Sequence, residues 1–264
     1  MPDFTAKDVQ ALRQSTGAGM MDAKRALQET GGDMEAAKRW LREQGLAGRD
    51  KRSGRAADQG AVSTANTGTA AAIVELRCET DFVAKSPDFV ALVEELADAA
   101  ATKGEEAVAE RNEDIQGLGV TLKENIQLGH VVRFEAADGA VLDTYLHIQN
   151  GRGVNGVMVE LVGGDRPLAH DIALHIASNR PEWISRDEVP AERVESERKV
   201  LENLTRNEGK PEQAIPKIVE GRLNGFFAEN CLLEQKYVKD PKQTIKQLLG
   251  EATVTRFAQV EVGR

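Results

Sequence analysis

The run Cys78-Glu79-Thr80-Asp81-Phe82-Val83-Ala84-Lys85 places a thiol, a hydroxyl, carboxylates and an amine in one short stretch. Nucleophilic use of Cys78 would need a base and a lowered thiol pKa. No spacing in the sequence supplies the base, so a small buried residue at a strand end is the expected role. The histidines are His130, His147, His170 and His175. On a helix the last two would stand about 140° apart and could not share a metal, as an i, i+4 pair could. Asp171 and His175 are one turn apart, a spacing that allows a pair with a structural or surface role. Cys78 and Cys231 make no C-x-x-C, so neither a disulfide framework nor a zinc knuckle is expected. The chain has no G-x-x-x-x-G-K-[ST] and no G-x-G-x-x-G, and so no fingerprint for holding a nucleotide itself. Neither an enzyme nor a metal or cofactor carrier is expected. What remains is an acid beside an aromatic, Asp81-Phe82.

The flanking elements decide how that pair is presented. From 73 to 78 the residues alternate, Val74, Leu76 and Cys78 on one face and Glu75, Arg77 and Glu79 on the other, as in a strand with one wet side. Ser86-Pro87-Asp88 starts a helix, with Ser86 as cap and Pro87 at a first helical position. Residues 80–85 are then a short connection. By residue type alone Phe82 folds back into the core, since large apolar side chains are mostly buried.

Around this stretch the chain divides into segments. Thr5 and Asp8 form a capping box for a first helix with Val9, Leu12 and Thr16 on its apolar stripe. Gly17-Ala18-Gly19 turns the chain into a second helix over 20–29. Gly31-Gly32-Asp33 turns it again into a third, lined by Met34, Ala37 and Leu41 up to Gly45. Residues 1–46 are therefore a small three-helix domain. Residues 47–60 are polar and carry Arg49, Lys51, Arg52 and Arg55, a linker or a solvated helix. A hairpin of 61–65 and 69–78 follows, then the 86–103 helix, short helices over 105–114 and near 122, and a strand over 126–136. These form a first core subdomain, 61–137. Asp138-Gly139 signals a hairpin to a returning strand over 141–147. A strand over 157–162, a helix over 168–178, a short helix restarted at Asp240-Pro241 and a closing strand over 254–262 make a second, related subdomain, 138–264. Within it the helices at 191–207 and from 215 onward have a thin apolar seam and turn at Gly209-Lys210-Pro211, so they read as a projecting coiled-coil hairpin over about 190–228. The fold class is α+β, with antiparallel sheets.

Composition narrows the partner. The chain of 264 residues is 41% hydrophobic and 29% charged, ordinary for a globular protein. A net charge of -9 and a pI near 5.2 give no broad attraction to nucleic acid. No stretch approaches the roughly 18 apolar residues of a membrane span, and the first residues lack a secretory pattern, so a cytoplasmic protein is expected. Met20 and Met21 are adjacent and point about 100° apart on a helix, so both cannot fill so small a core. Core filling and an adaptable binding surface are both open to them.

Thr80-Asp81-Phe82-Val83-Ala84, together with Leu12-Arg13-Gln14-Ser15-Thr16-Gly17-Ala18-Gly19-Met20-Met21-Asp22-Ala23-Lys24, closely resembles the elongation factor Ts family, the guanine-nucleotide exchange factors of elongation factor Tu. Gly209-Lys210-Pro211 and Ile218-Val219-Glu220-Gly221-Arg222 extend the likeness through nearly the whole chain. The three N-terminal helices alone resemble a ubiquitin-associated domain, a fold used for protein binding, and the family resemblance implies a partner, elongation factor Tu, bound both with GDP and without nucleotide. It implies that Thr80, Asp81, Phe82 and Val83 enter the partner's nucleotide domain and help dislodge its magnesium, and that Phe82 is exposed. Arg13, Met20, Met21 and His147 would make further contacts. No direct nucleic-acid or membrane contact is implied, and a one-to-one complex and a dimer of heterodimers are both compatible. Two rival readings are an adaptor acting through the N-terminal bundle and a cysteine-dependent enzyme using Cys78.

Overall fold

A computed structural model of the chain describes residues 4–16, 18–52 and 54–264, without the side chains of residues 45–52. Residues 1–3, Gly17 of the expected first turn and the side chains of Arg49, Lys51 and Arg52 lie outside the described residues.

Helices α1 (Ala6–Thr16), α2 (Met20–Glu29) and α3 (Met34–Arg52) open the chain. At the start of α1, Thr5 N donates to Asp8 Oδ2 at 2.7 Å and Asp8 N to Thr5 Oγ1 at 3.4 Å, which satisfies two free amides at once. Asp33 Oδ1 accepts from Glu35 N and Ala36 N, both at 2.9 Å, and caps α3. Val9, Leu12, Ala23, Ala26, Leu27 and Ala37 form a small separate core. Helix α3 does not stop at Gly45. A helical glycine costs only about 1 kcal/mol relative to alanine, and the helix runs to Arg52, into the segment read as a linker or a solvated helix.

Next come β1 (Gln59–Asn66), β2 (Ala70–Cys78), α4 (Asp81–Ala84), α5 (Pro87–Lys103), α6 (Glu106–Glu110), α7 (Asn112–Leu122) and β3 (Gln127–Glu135). The strands form an antiparallel sheet in the order β1-β2-β3. Helix α5 covers one face, with Val74, Leu76 and Cys78 packed against Phe89, Val93 and Leu96. A second sheet repeats the plan. Strands β4 (Ala140–Gln149) and β5 (Arg152–Val162) form a hairpin, α8 (Arg166–Asn179) covers it, and a last strand (Thr253–Glu261) returns beside β5.

The sheets lie back to back, Val62, Ala71, Ile73 and Phe134 meeting Leu142, Met158 and Val260. They approach closely enough that a Cβ on Gly153 would lie 2.1 Å from the Val62 carbonyl oxygen. This stacking corrects two sequence expectations. The side of β2 expected to be wet is covered, and Glu75 is 0% exposed. Asp138-Gly139 does not close a hairpin either: β3 pairs with β2 and β4 with β5, so the chain changes sheets there.

Between α8 and the last strand, α9 (Ala191–Asn207) and α10 (Ile215–Asn230) form an antiparallel pair around Ile215, Val219 and Leu223, with Val194 and Leu201 against them. Val200 and Leu204 point to solvent. Asp240-Pro241 starts no helix. Residues Asp240–Thr244 are β7, paired with β6 (Lys236–Tyr237), and Thr244 caps the short α11 (Ile245–Leu249), so the closing strand is β8. Among the described residues no helix is long and apolar enough to cross a membrane.

Candidate functional site: the braced turn between β2 and α5

β2 ends at Cys78, whose thiol is fully buried and donates to the Thr80 carbonyl at 3.2 Å. Burial, with the nearby Glu124 carboxylate, pushes this thiol up to about 12. It is therefore not a ready nucleophile. Thr80 leaves the strand extended, and its Oγ1 accepts from Val83 N at 3.3 Å, starting the single helical turn α4. Ala84 is buried in the α5 core and Val83 packs at its edge. Ser86 does not cap α5 as expected. Its hydroxyl donates back to the Val83 carbonyl at 2.8 Å and closes the turn on itself.

With both ends tied, Phe82 has nowhere inward to go and is 82% exposed. Residue type favours burial, but the inward positions of this turn belong to Val83 and Ala84. Asp81 is paired with Lys85 at 2.5 Å, and the hydrogen bond from Lys85 holds its carboxyl below the usual range, so it is ionised at neutral pH.

The turn is also held from a distance. Glu124, between α7 and β3, accepts from Glu79 N at 3.0 Å and Thr80 N at 3.1 Å with one oxygen, and from Thr80 Oγ1 at 2.5 Å with the other. Glu79 answers by accepting from Asn125 N at 2.7 Å. Sequence reasoning missed Glu124, since the only local signal is a polar Lys-Glu-Asn step between a helix and a strand.

The other candidate residues lie on separate elements. Arg13 is exposed on α1, and Met20 and Met21, 48% and 68% exposed, begin α2. His147 is exposed on the edge strand β4, its Nδ1 3.4 Å from the Tyr145 hydroxyl and its ring stacked on that tyrosine. Asp171 and His175 do not pair. Asp171 holds Lys239 at 2.6 Å, whereas His175 is fully buried between Gln235 Oε1 and the amide of Val238. Burial lowers the His175 pKa, and the bond to Gln235 opposes this only in part.

Comparison with known proteins gives the class first. Residues 79–264 match the family model described as "Elongation factor TS", so this α+β chain is a translation elongation factor. Proteins named "Elongation factor Ts" from Streptomyces griseus and Micrococcus luteus are 45% and 41% identical to it, with all of each chain covered. That of Deinococcus deserti is 42% identical over 97% of this chain and 99% of its own. The chain belongs to the elongation factor Ts family.

Proposed function

We propose that the chain binds elongation factor Tu, with GDP or without nucleotide, and speeds replacement of GDP by GTP without catalytic chemistry of its own. The observation that carries this reading is Phe82, a large apolar side chain held outward on a turn anchored at both ends. A magnesium ion bound with a nucleotide bridges phosphate and a few protein oxygens, and its octahedral geometry tolerates little displacement. A rigid aromatic wedge entering beside it shifts those ligands, and Asp81 adds negative charge to the disturbance. Because the turn is ordered in advance, little conformational entropy is lost when it inserts.

Arg13, Met20, Met21 and His147 dock elsewhere on the partner. They set affinity more than the exchange rate at saturation, so His147→Ala should weaken binding. The coupling is reciprocal: a thousandfold loosening of GDP, about 4 kcal/mol, loosens the factor equally when GDP binds. The work is done in the cytoplasm and without direct nucleic-acid contact, and two such heterodimers can associate. The test is release of labelled GDP from purified elongation factor Tu with and without the chain. Acceleration at substoichiometric chain is expected, and an unchanged rate would refute the proposal.

A further inference from the structure

The turn at Phe82 and the helix start at Met20-Met21 are far apart in sequence, yet adjacent residues touch both. Glu124 takes the amides of Glu79 and Thr80 and the Thr80 hydroxyl on its carboxylate. Lys123, one residue earlier, reaches the other way and binds Asp22 Oδ2 at 2.9 Å, on the first turn of α2. The fit there is close: a Cβ on Gly19 would sit 3.2 Å from that Asp22 oxygen and 3.7 Å from the Lys123 ammonium. Between these two grips the backbone makes one left-handed step, Lys123 at φ 59° and ψ 29°. A side chain disfavours that conformation, and it occurs here where the chain leaves α7, with the side chains of Lys123 and Glu124 both held.

We infer that Lys123-Glu124 is a positioning bracket, Glu124 setting the pose of the Asp81-Phe82 turn and Lys123 setting the place of the Met20-Met21 helix start relative to it. The inference rests on the exchange reading above and adds residues that need not touch elongation factor Tu. A wedge helps only if it meets its target while the rest of the surface is docked, so the spacing between the two elements matters as much as either element. The two grips differ in strength. Glu124 makes charge-assisted bonds to backbone amides. Lys123 makes an exposed ion pair, shares Asp22 with Arg25 and is backed by a second exposed pair, Arg42 with Glu113. The two halves of the bracket should therefore fail differently.

The test uses the full chain and a fluorescent GDP released from elongation factor Tu, with the rate followed against factor concentration. Glu124→Gln keeps the size and an oxygen for the two amides, but removes the charge and puts an NH2 group where the Thr80 hydroxyl donated. Its saturating rate should fall about tenfold, the worth of one charge-assisted bond, with the half-saturating concentration little changed. Amide exchange at Glu79 and Thr80 should quicken. Lys123→Gly keeps the left-handed step and deletes the ammonium. The half-saturating concentration should then rise about threefold, as for an exposed ion pair, with the saturating rate little changed. Thr80→Val removes a donor to the same carboxylate together with the acceptor for Val83 N, and should be at least as slow as Glu124→Gln, which keeps the idea testable should Glu124→Gln fail to fold. A folded Glu124→Gln or Thr80→Val with the parent's saturating rate, or Lys123→Gly with the parent's half-saturation, overturns the bracket. Phe82→Ala run alongside separates the two ideas. If it is slow while Glu124→Gln is not, only the bracket falls; if it matches the parent, the wedge itself falls.

Discussion

The two halves of the core share a connectivity but treat the same junction differently. In the second half β5 passes to α8 through a tight turn, and Asp165 caps the helix by accepting from Leu168 N at 3.0 Å. In the first half the corresponding junction holds an extra helical turn, α4, and the serine at the cap position bonds backward instead. The insertion before the third strand also differs, being α6 and α7 with Lys123-Glu124 in the first half and a projecting helical pair with a small sheet in the second. Elaborations fall on the connections because the strands and covering helices are already committed to the core.

The largest test of this contrast uses two phenylalanines seven residues apart. Phe89, in the first turn of α5, is fully buried against the sheet, and Phe89→Ala should cost about 3–5 kcal/mol in urea unfolding. Phe82→Ala should stay within about 0.5 kcal/mol of the parent. It should nonetheless weaken binding to nucleotide-free elongation factor Tu by about 2 kcal/mol and slow GDP release accordingly. Equal destabilisation by the two changes would show that the first junction is ordinary core.

The caps come next. Asp165→Ala should lower stability by about 1 kcal/mol with no effect on exchange. Ser86→Ala should cost about the same or less but slow GDP release, since it frees the end of the turn that holds Phe82. If both variants change only stability, the junctions are equivalent after all.

Replacing residues 194–222 with a short Gly-Ser link should leave one cooperative unfolding transition and most exchange activity. The apolar seam of α9 and α10 is largely internal to the pair, with Phe226 and Trp183 at its base. Broad, non-cooperative unfolding would place the pair in the core.

The smallest effect is with pH. His175 is held neutral, because Val238 N already donates to its Nδ1 and burial lowers its pKa. Its contribution is complete above the ordinary histidine range near 6.5 and is lost as pH falls below that value, because the unfolded chain takes up the proton first. Melting midpoints should therefore drop by a few degrees below pH 6.5, and His175→Gln should remove that step whatever its own midpoint. A second loss should begin below about 4.5, where the glutamates of the unfolded chain take up protons while Glu75 and Glu160 in the fold are still ionised. Burial alone would raise both carboxyls, but bonds from Arg77 and His130 to Glu75, and from Arg256, Thr255 and Ala137 to Glu160, outweigh it and hold them low.

Much of this molecule is legible residue by residue. The Thr5-Asp8 box, the glycines before Asp33, the alternation in β2 and β8 and the seam of the helical pair are signals carried by neighbours within a few positions. Local backbone preferences suffice to read them. The motif around Asp81-Phe82 is equally local, and with its N-terminal companion it identifies the family. Other features depended on which surfaces meet. Glu75 sits on a face that alternates as if wet, and only the second sheet stacked against it makes that face dry. Asp138-Gly139 has hairpin chemistry, but the strands on either side find better partners, β3 beside β2 and β4 beside β5. Glu124 and Lys123 carry no sequence signal of their own. Their importance comes from three-dimensional proximity to Thr80 and Asp22, set by packing of α7 beneath the turn and beside the N-terminal helices, and no local pattern encodes a contact between residues so far apart in the chain.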